Sequence, residues 1–248
     1  MIESLESRFL LSITLRGGTL EIVGTDGNDR IQLSHPNSNS LITNPSRTVV
    51  DFNGKRFNFK TIDIKRIFID GRAGDDLVQI GLSASFNVCG AFRPPDLYPF
   101  QPSIPTLLIG GSGSDTLIGG SGKDRMYGGP GSDDLYGGAN DDQLRGGAGD
   151  DVLTGGSGHD RLFGQAGNDF LDGNRIAWDR PESDQMVGGA DNDTLFSDSS
   201  DQISGGPGDD LLQYPATETP INGIPLPPSF DVPSDIERTE SYSTGACY

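Results

Sequence analysis

A chain of 248 residues with only 33% hydrophobic residues and 36 glycines has too little apolar material for an ordinary globular core of its length. Its formal net charge of −18 argues against nucleic acid and anionic membrane surfaces as partners and favours cations. The charge is local: residues 110–213 hold 20 acidic and 6 basic residues together with 25 of the glycines, an ordered coincidence that a disordered acidic tail does not require.

Residues 1–18 open with Met1-Ile-Glu-Ser. The acidic start and the short, interrupted apolar stretch Phe9 to Leu15 make a poor secretory signal peptide. Leu5-Glu-Ser-Arg-Phe-Leu-Leu-Ser12 resembles the LEPR-XLL motif found at the start of many large bacterial surface or exported proteins, with Ser7 where that motif has Pro. The resemblance implies export.

Residues 19–88 read as irregular β-structure. Leu20-Glu-Ile-Val23 and Arg30-Ile-Gln-Leu33 alternate with period two. Thr48–Phe52 and Lys55–Phe59 flank Asn53-Gly54, a strong hairpin signal. Two isolated segments, Gly24-Thr-Asp-Gly-Asn-Asp-Arg-Ile-Gln32 and Gly71-Arg-Ala-Gly-Asp-Asp-Leu-Val-Gln79, share the pattern of the repeats described below. Their Asp29 and Asp75–Asp76 read chiefly as turn residues, with a cation-ligand role as the alternative, since a lone unit lacks a neighbouring loop.

Residues 89–109 begin at Cys89 and carry five prolines between Pro94 and Pro105, which suits a joining loop; Phe92, Tyr98 and Phe100 leave a binding loop as the alternative. Cys89 and Cys247 are too few for a disulfide framework and could form one pair at most. No apolar run approaches the roughly 18–20 residues of a transmembrane helix.

From Gly110 to Gln213 the chain repeats every nine residues, beginning GGSGSDTLI, GGSGKDRMY, GGPGSDDLY, GGANDDQLR, and reaches eleven units with an insertion at Arg175–Glu182 and a shortened SDSSDQIS. Glycine holds the first position at Gly110, Gly119, Gly128, Gly137, Gly146, Gly155, Gly164, Gly188 and Gly205. It holds the second at Gly111, Gly120, Gly129, Gly147 and Gly156, and the fourth at Gly113, Gly122, Gly131, Gly149, Gly158 and Gly167. The sixth is aspartate throughout: Asp115, Asp124, Asp133, Asp142, Asp151, Asp160, Asp169, Asp184, Asp193, Asp201 and Asp210. The eighth is always Leu, Met or Ile.

Glycine at positions one, two and four permits positive φ, so a tight turn can aim its carbonyls at one point. The aspartate adds a carboxylate, and a cluster of hard oxygens suits calcium, which takes 6–8 of them at about 2.3–2.6 Å. The last three residues predict a short strand whose middle side chain points inward, each buried leucine contributing roughly 1.5–3 kcal/mol. One unit cannot bury that side chain alone, so neighbours must stack. A merely solvated acidic face, the usual meaning of a charge run, would not demand one position in nine.

This pattern, G-G-x-G-x-D-x-U-x, resembles the RTX, or haemolysin-type calcium-binding, repeat. The resemblance implies an all-β fold, a right-handed parallel β-roll solenoid with two nonapeptides per turn and several Ca2+ ions between successive loops. It also implies that the glycines and aspartates named above form the metal sites, the carboxylates and loop carbonyls being ligands. Asn140 in a fourth position, Gln165 in a second, and the unit at Ser197 depart from the pattern and are expected to weaken their sites. The Pro-rich and polar tail, residues 214–248, is Lys-free and compatible with the C-terminal type I secretion signal that RTX proteins often carry.

RTX blocks also accompany proteases, lipases and epimerases. Here His35 and His159 lie far apart, no H-E-x-x-H or G-x-S-x-G occurs, and Gly122-Lys123 lacks the rest of a P-loop. No catalytic residue or organic cofactor is expected. The reading is a secreted or cell-surface structural or adhesion protein that binds calcium, an exported enzyme being the alternative.

Overall fold

The computed structural model describes residues 12–34, 47–81, 104–173, 182–198 and 200–213, and the backbone alone of 214–215 and 236–242. The first sheet contains β1 (Ser12–Arg16), β2 (Thr19–Val23), β6 (Arg66–Ala73), β8 (Thr106–Ser112), β10 (Arg125–Pro130), β12 (Gln143–Ala148), β14 (Arg161–Ala166), β16 (Gln185–Ala190) and β18 (Gln202–Ser204), in that order. The second contains β3 (Arg30–Ser34), β4 (Arg47–Phe52), β5 (Lys55–Lys60), β7 (Leu77–Ile80), β9 (Thr116–Gly120), β11 (Asp134–Ala139), β13 (Val152–Ser157), β15 (Phe170–Asp172), β17 (Thr194–Phe196), β19 (Asp210–Pro215) and β20 (Ile236–Tyr242). Its order is β20-β19-β17-β15-β13-β11-β9-β7-β3-β4-β5.

Successive nonapeptides alternate between the sheets, so each strand pairs in parallel with the one two units on: Leu135 with Leu153, and Met126 with Leu144. Two nonapeptides therefore make one turn, the expected β-roll. The eighth-position side chains fill the space between the sheets. Leu117, Leu135, Leu153, Leu171 and Leu195 form one column, and Leu108, Met126, Leu144, Leu162 and Met186 the other, all fully buried. Each column continues into the irregular coils, through Val78 to Ile31 and through Ile69 to Ile22. The N-terminal coils and the repeats thus share one core.

Except for β15, β17 and β18, the repeat strands are longer than the expected three residues. Most run from the seventh position through the glycine pair of the next unit, as in Arg125–Pro130. Gly129 pairs with Gly147, because consecutive coils stack closely where no Cβ intervenes. β1 adds an antiparallel strand through a turn at Gly17-Gly18 that the sequence pattern does not announce. The hairpin forms as expected: Asn53 and Gly54 take φ values of 47° and 81°, and β4 and β5 pair antiparallel around them.

The joining loop ends earlier than its composition suggests, since β8 begins at Thr106 and stacks on β6. Within the tail, β20 pairs in parallel with β19. Residues 89–103, most of the export-type motif, and all of the insertion at Arg175–Glu182 except Glu182 lie outside the described residues. The coils on both sides of that insertion keep register, Leu162 facing Met186. Among the described residues no helix is long and apolar enough to cross a membrane.

Candidate metal centre

Among the described residues, chain crossings between the sheets make rim loops. Loops 24–29, 71–76, 110–115, 128–133, 146–151, 164–169, 188–193 and 205–210 line one rim; 119–124, 137–142, 155–160 and 197–201 line the other.

The sixth-position aspartates form a continuous ladder along each rim. On the first rim each aspartate N–H donates to Oδ1 of the aspartate in the next coil. The sequence is Asp29, Asp76, Asp115, Asp133, Asp151, Asp169, Asp193 and Asp210, at 2.7–2.9 Å. On the second rim the ladder begins at the Thr106 N–H and runs through Asp124, Asp142, Asp160, Asp184 and Asp201. One carboxylate oxygen thus ties coil to coil. The other is left over: Oδ2 of Asp76, Asp115, Asp124, Asp133, Asp142, Asp151, Asp160, Asp169, Asp184 and Asp193 is buried and accepts no hydrogen bond. A buried, unsatisfied carboxylate oxygen is costly unless something positive meets it.

The first-position glycines explain where those oxygens lie, and they correct the positive-φ expectation for that position. Gly110, Gly128 and Gly146 are not among the positive-φ glycines. They are glycine because a Cβ would fall on the carboxylate of their own unit, 2.3 Å from Asp115 Oδ2, 2.2 Å from Asp133 Oδ2 and 2.1 Å from Asp151 Oδ2. A Cβ on Gly128 would also meet the Gly146 carbonyl at 2.8 Å. The second positions and most fourth positions, Gly122 excepted, do take positive φ, as at Gly129 (125°) and Gly131 (141°). There the carbonyls of the preceding coil press in, Gly111 O at 1.9 Å and Gly113 O at 1.8 Å from an added Cβ.

The loops ending at Asp76, Asp115, Asp124, Asp133, Asp142, Asp151, Asp160, Asp169, Asp184 and Asp193 therefore each present one bare carboxylate oxygen beside backbone carbonyls. No three acidic, His or Cys side chains gather at one point among the described residues. A cation at the rim would be held by one carboxylate per loop plus main-chain oxygens, a hard donor set that fits calcium and does not fit softer metals.

With no cation beside them these carboxyls resist ionising. Burial pushes Asp115, Asp124 and Asp193 up to about 6, Asp151, Asp160 and Asp169 up to about 7, and Asp184 to about 8. Asp142 is pushed to about 10, first by burial and then by the charge of Asp124. A divalent ion reverses that preference.

The departures from the repeat behave differently from one another. Asn140 and Gln165 adopt the left-handed backbone of the glycines they replace, with φ of 72° and 88°, so the coil register survives. Asp191, also in a fourth position, does the same at 80°; sequence reasoning passed over it. The short unit at Ser197 closes its own site: Asp201 Oδ2 accepts the Ser197 hydroxyl and the Asp198 N–H, both at 2.9 Å. Asp29 is sealed alike. Its Oδ2 accepts the Thr25 N–H at 2.6 Å and the Thr25 hydroxyl at 3.1 Å, while Oδ1 accepts Asn53 Nδ2 at 2.8 Å. In both, a hydroxyl residue stands four positions before the aspartate, where most repeat units have glycine. That signal is legible in the sequence.

The segments 24–32 and 71–79 are not isolated, contrary to expectation. β3 and β7 stack directly beneath β9, so both loops have neighbours despite their distance along the chain. His159 is exposed at a fifth position, its N–H donating to Asp141 Oδ1 at 3.2 Å. Lys123, the corresponding residue of an earlier coil on the same rim, pairs with the same Asp141.

Comparison with known families identifies the RTX calcium-binding nonapeptide repeat at residues 109–144, 136–171 and 181–212. Neither the curated proteins nor the solved structures gave a match.

Proposed function

We propose that this chain, whose residues 109–212 are RTX calcium-binding repeats, is an exported protein whose roll folds or stiffens on calcium and serves a structural or adhesive role at or beyond the cell surface. The observation that carries the reading is the row of buried carboxylate oxygens lacking any donor on each rim. Ions at those positions neutralise the ladders and tie each loop to the next, so binding and folding are coupled. Extracellular calcium modules bind at about 10⁻⁴–10⁻³ M, a range that leaves such a chain loose in a calcium-poor cytoplasm and rigid outside.

The residues supply no support for catalysis. The clustered carboxylates are committed to the ladders, and His159 occupies a variable, exposed position. Calcium titration followed by circular dichroism, starting from chelator, tests the central claim; a spectrum that does not change from chelator to millimolar calcium sinks it. Pull-down from cell envelopes tests the adhesive role. A panel of hydrolase, lyase and epimerase assays tests the non-catalytic one.

A further inference from the structure

The loop Gly71–Asp76 lies outside the residues that match the repeat family, yet it reproduces the repeat geometry. Asp76 is 3% exposed. Its Oδ1 accepts the Asp29 N–H at 2.7 Å, its own N–H donates to Asp115 Oδ1 at 2.8 Å, and its Oδ2 accepts nothing. A Cβ on Gly71 would lie 2.2 Å from that Oδ2 and 2.5 Å from the Gly110 carbonyl. The corresponding neighbours of Gly128 within the repeats are at 2.2 and 2.8 Å.

The backbone oxygens also correspond. The Arg72 and Gly74 carbonyls press on loop 110–115, at 1.9 and 2.2 Å from a Cβ built on Gly111 and Gly113. The Gly111 and Gly113 carbonyls press on loop 128–133 in the same way. Arg72, although not glycine, holds the second-position backbone at φ 82°.

We propose that loops 71–76 and 110–115 enclose a further calcium site, with the Asp76 carboxylate and the Arg72 and Gly74 carbonyls among its donors. The inference rests on the reading that the repeat carboxylates bind calcium, and extends it to an N-terminal coil far away in sequence. The column of ions stops there. One coil earlier, Thr25 and Asn53 occupy both oxygens of Asp29, and the chain's own donors do the work of the ion. Calcium then clamps the irregular coils to the repeats across the junction of β7 and β9.

Equilibrium dialysis of the full chain against calcium, with metal counted by atomic emission, tests this on three variants. Asp76→Asn and Asp133→Asn are each expected to lower the bound calcium by about one ion or to weaken it by about tenfold, whereas Asp29→Asn leaves it unchanged. If Asp133→Asn loses calcium and Asp76→Asn does not, the N-terminal site is wrong and the repeat reading stands. If the unaltered chain binds no calcium, the repeat reading itself is wrong. Hydrogen exchange on the unaltered chain gives a readout that no folding defect can confuse. Amides of residues 71–81 are expected to gain protection at the same calcium midpoint as those of residues 128–151. Equal protection of 71–81 with and without calcium, beside a response in 128–151, overturns the proposal.

Discussion

The irregular coils before residue 82 and the nonapeptide coils after residue 105 share two apolar columns and one rim, yet they are closed by different forces. In the irregular coils large side chains take a second inward position: Leu33 is buried beside Ile31, and Val50 and Phe52 of the hairpin cover the end of the sheet. In the repeats the equivalent inward position is glycine, because the rim carboxylate lies where a side chain would be. One region is sealed by apolar burial and its own hydrogen-bond donors. The other has a thin core, one large residue per unit, and a rim of buried carboxyl groups whose ionised form needs a cation. On the proposed reading, stability in the second depends on calcium, and in the first only loop 71–76 responds to it.

The largest test of that contrast is calcium removal. Each site held at ten times its dissociation constant adds about 1.4 kcal/mol, and several together reach the 5–15 kcal/mol that separates folded from unfolded domains. Excess chelator is therefore expected to strip hydrogen-exchange protection from residues 110–213 while the hairpin β4–β5 keeps more of its own. Uniform protection across both regions in chelator would erase the distinction.

Next come the core columns. Leu144→Ala or Leu153→Ala, at fully buried positions, is expected to cost about 2–5 kcal/mol in saturating calcium, read from denaturant unfolding. Removing a rim ligand costs less: Asp133→Asn should raise the calcium midpoint in a titration followed by circular dichroism. Asp201→Asn should leave that midpoint in place, because Ser197 and Asp198 already satisfy its outer oxygen.

Acidity gives a test with opposite signs in the two ionic states. Asp151, Asp160 and Asp169 are raised from 3.8 to about 7, chiefly by burial. A carboxyl whose folded value exceeds its unfolded one stabilises the fold while protonated. In chelator the thermal midpoint should therefore fall as pH rises from about 4 to about 7. In calcium, protons and ions compete for the same oxygens, so the calcium midpoint should fall, meaning tighter binding, over the same range. The smallest expected effect is Gly54→Ala in the hairpin. An added Cβ meets nothing within 4 Å there, and only the left-handed backbone at φ 81° resists it, costing about 1–2 kcal/mol independently of calcium.

Much of this was legible in the residues. The nine-residue period and its apolar eighth position implied the inward columns from Leu117 to Leu171, and the RTX resemblance those residues carry implied the parallel roll with two units per turn. Asn53-Gly54 announced the hairpin. Such signals are local: a period, an alternation, a turn dipeptide. Other features were misread because they depend on contact. First-position glycine was credited with turn flexibility, when its task is to leave room for a carboxylate from its own unit. The units at Gly24 and Gly71 looked solitary because their partners are distant along the chain.

By itself, then, the sequence determined the repeat and the hard-oxygen chemistry that suits calcium, since both follow from residue type and spacing, while the fold class followed from the resemblance those residues carry. Only the tertiary structure decided which aspartates keep an oxygen for a cation. Asp29 and Asp76 end similar hexapeptides, yet Thr25 and the hairpin residue Asn53 close the first and nothing closes the second. Whether a buried carboxylate is satisfied depends on which donors the folded coils bring within hydrogen-bond reach, and no spacing along the chain specifies that.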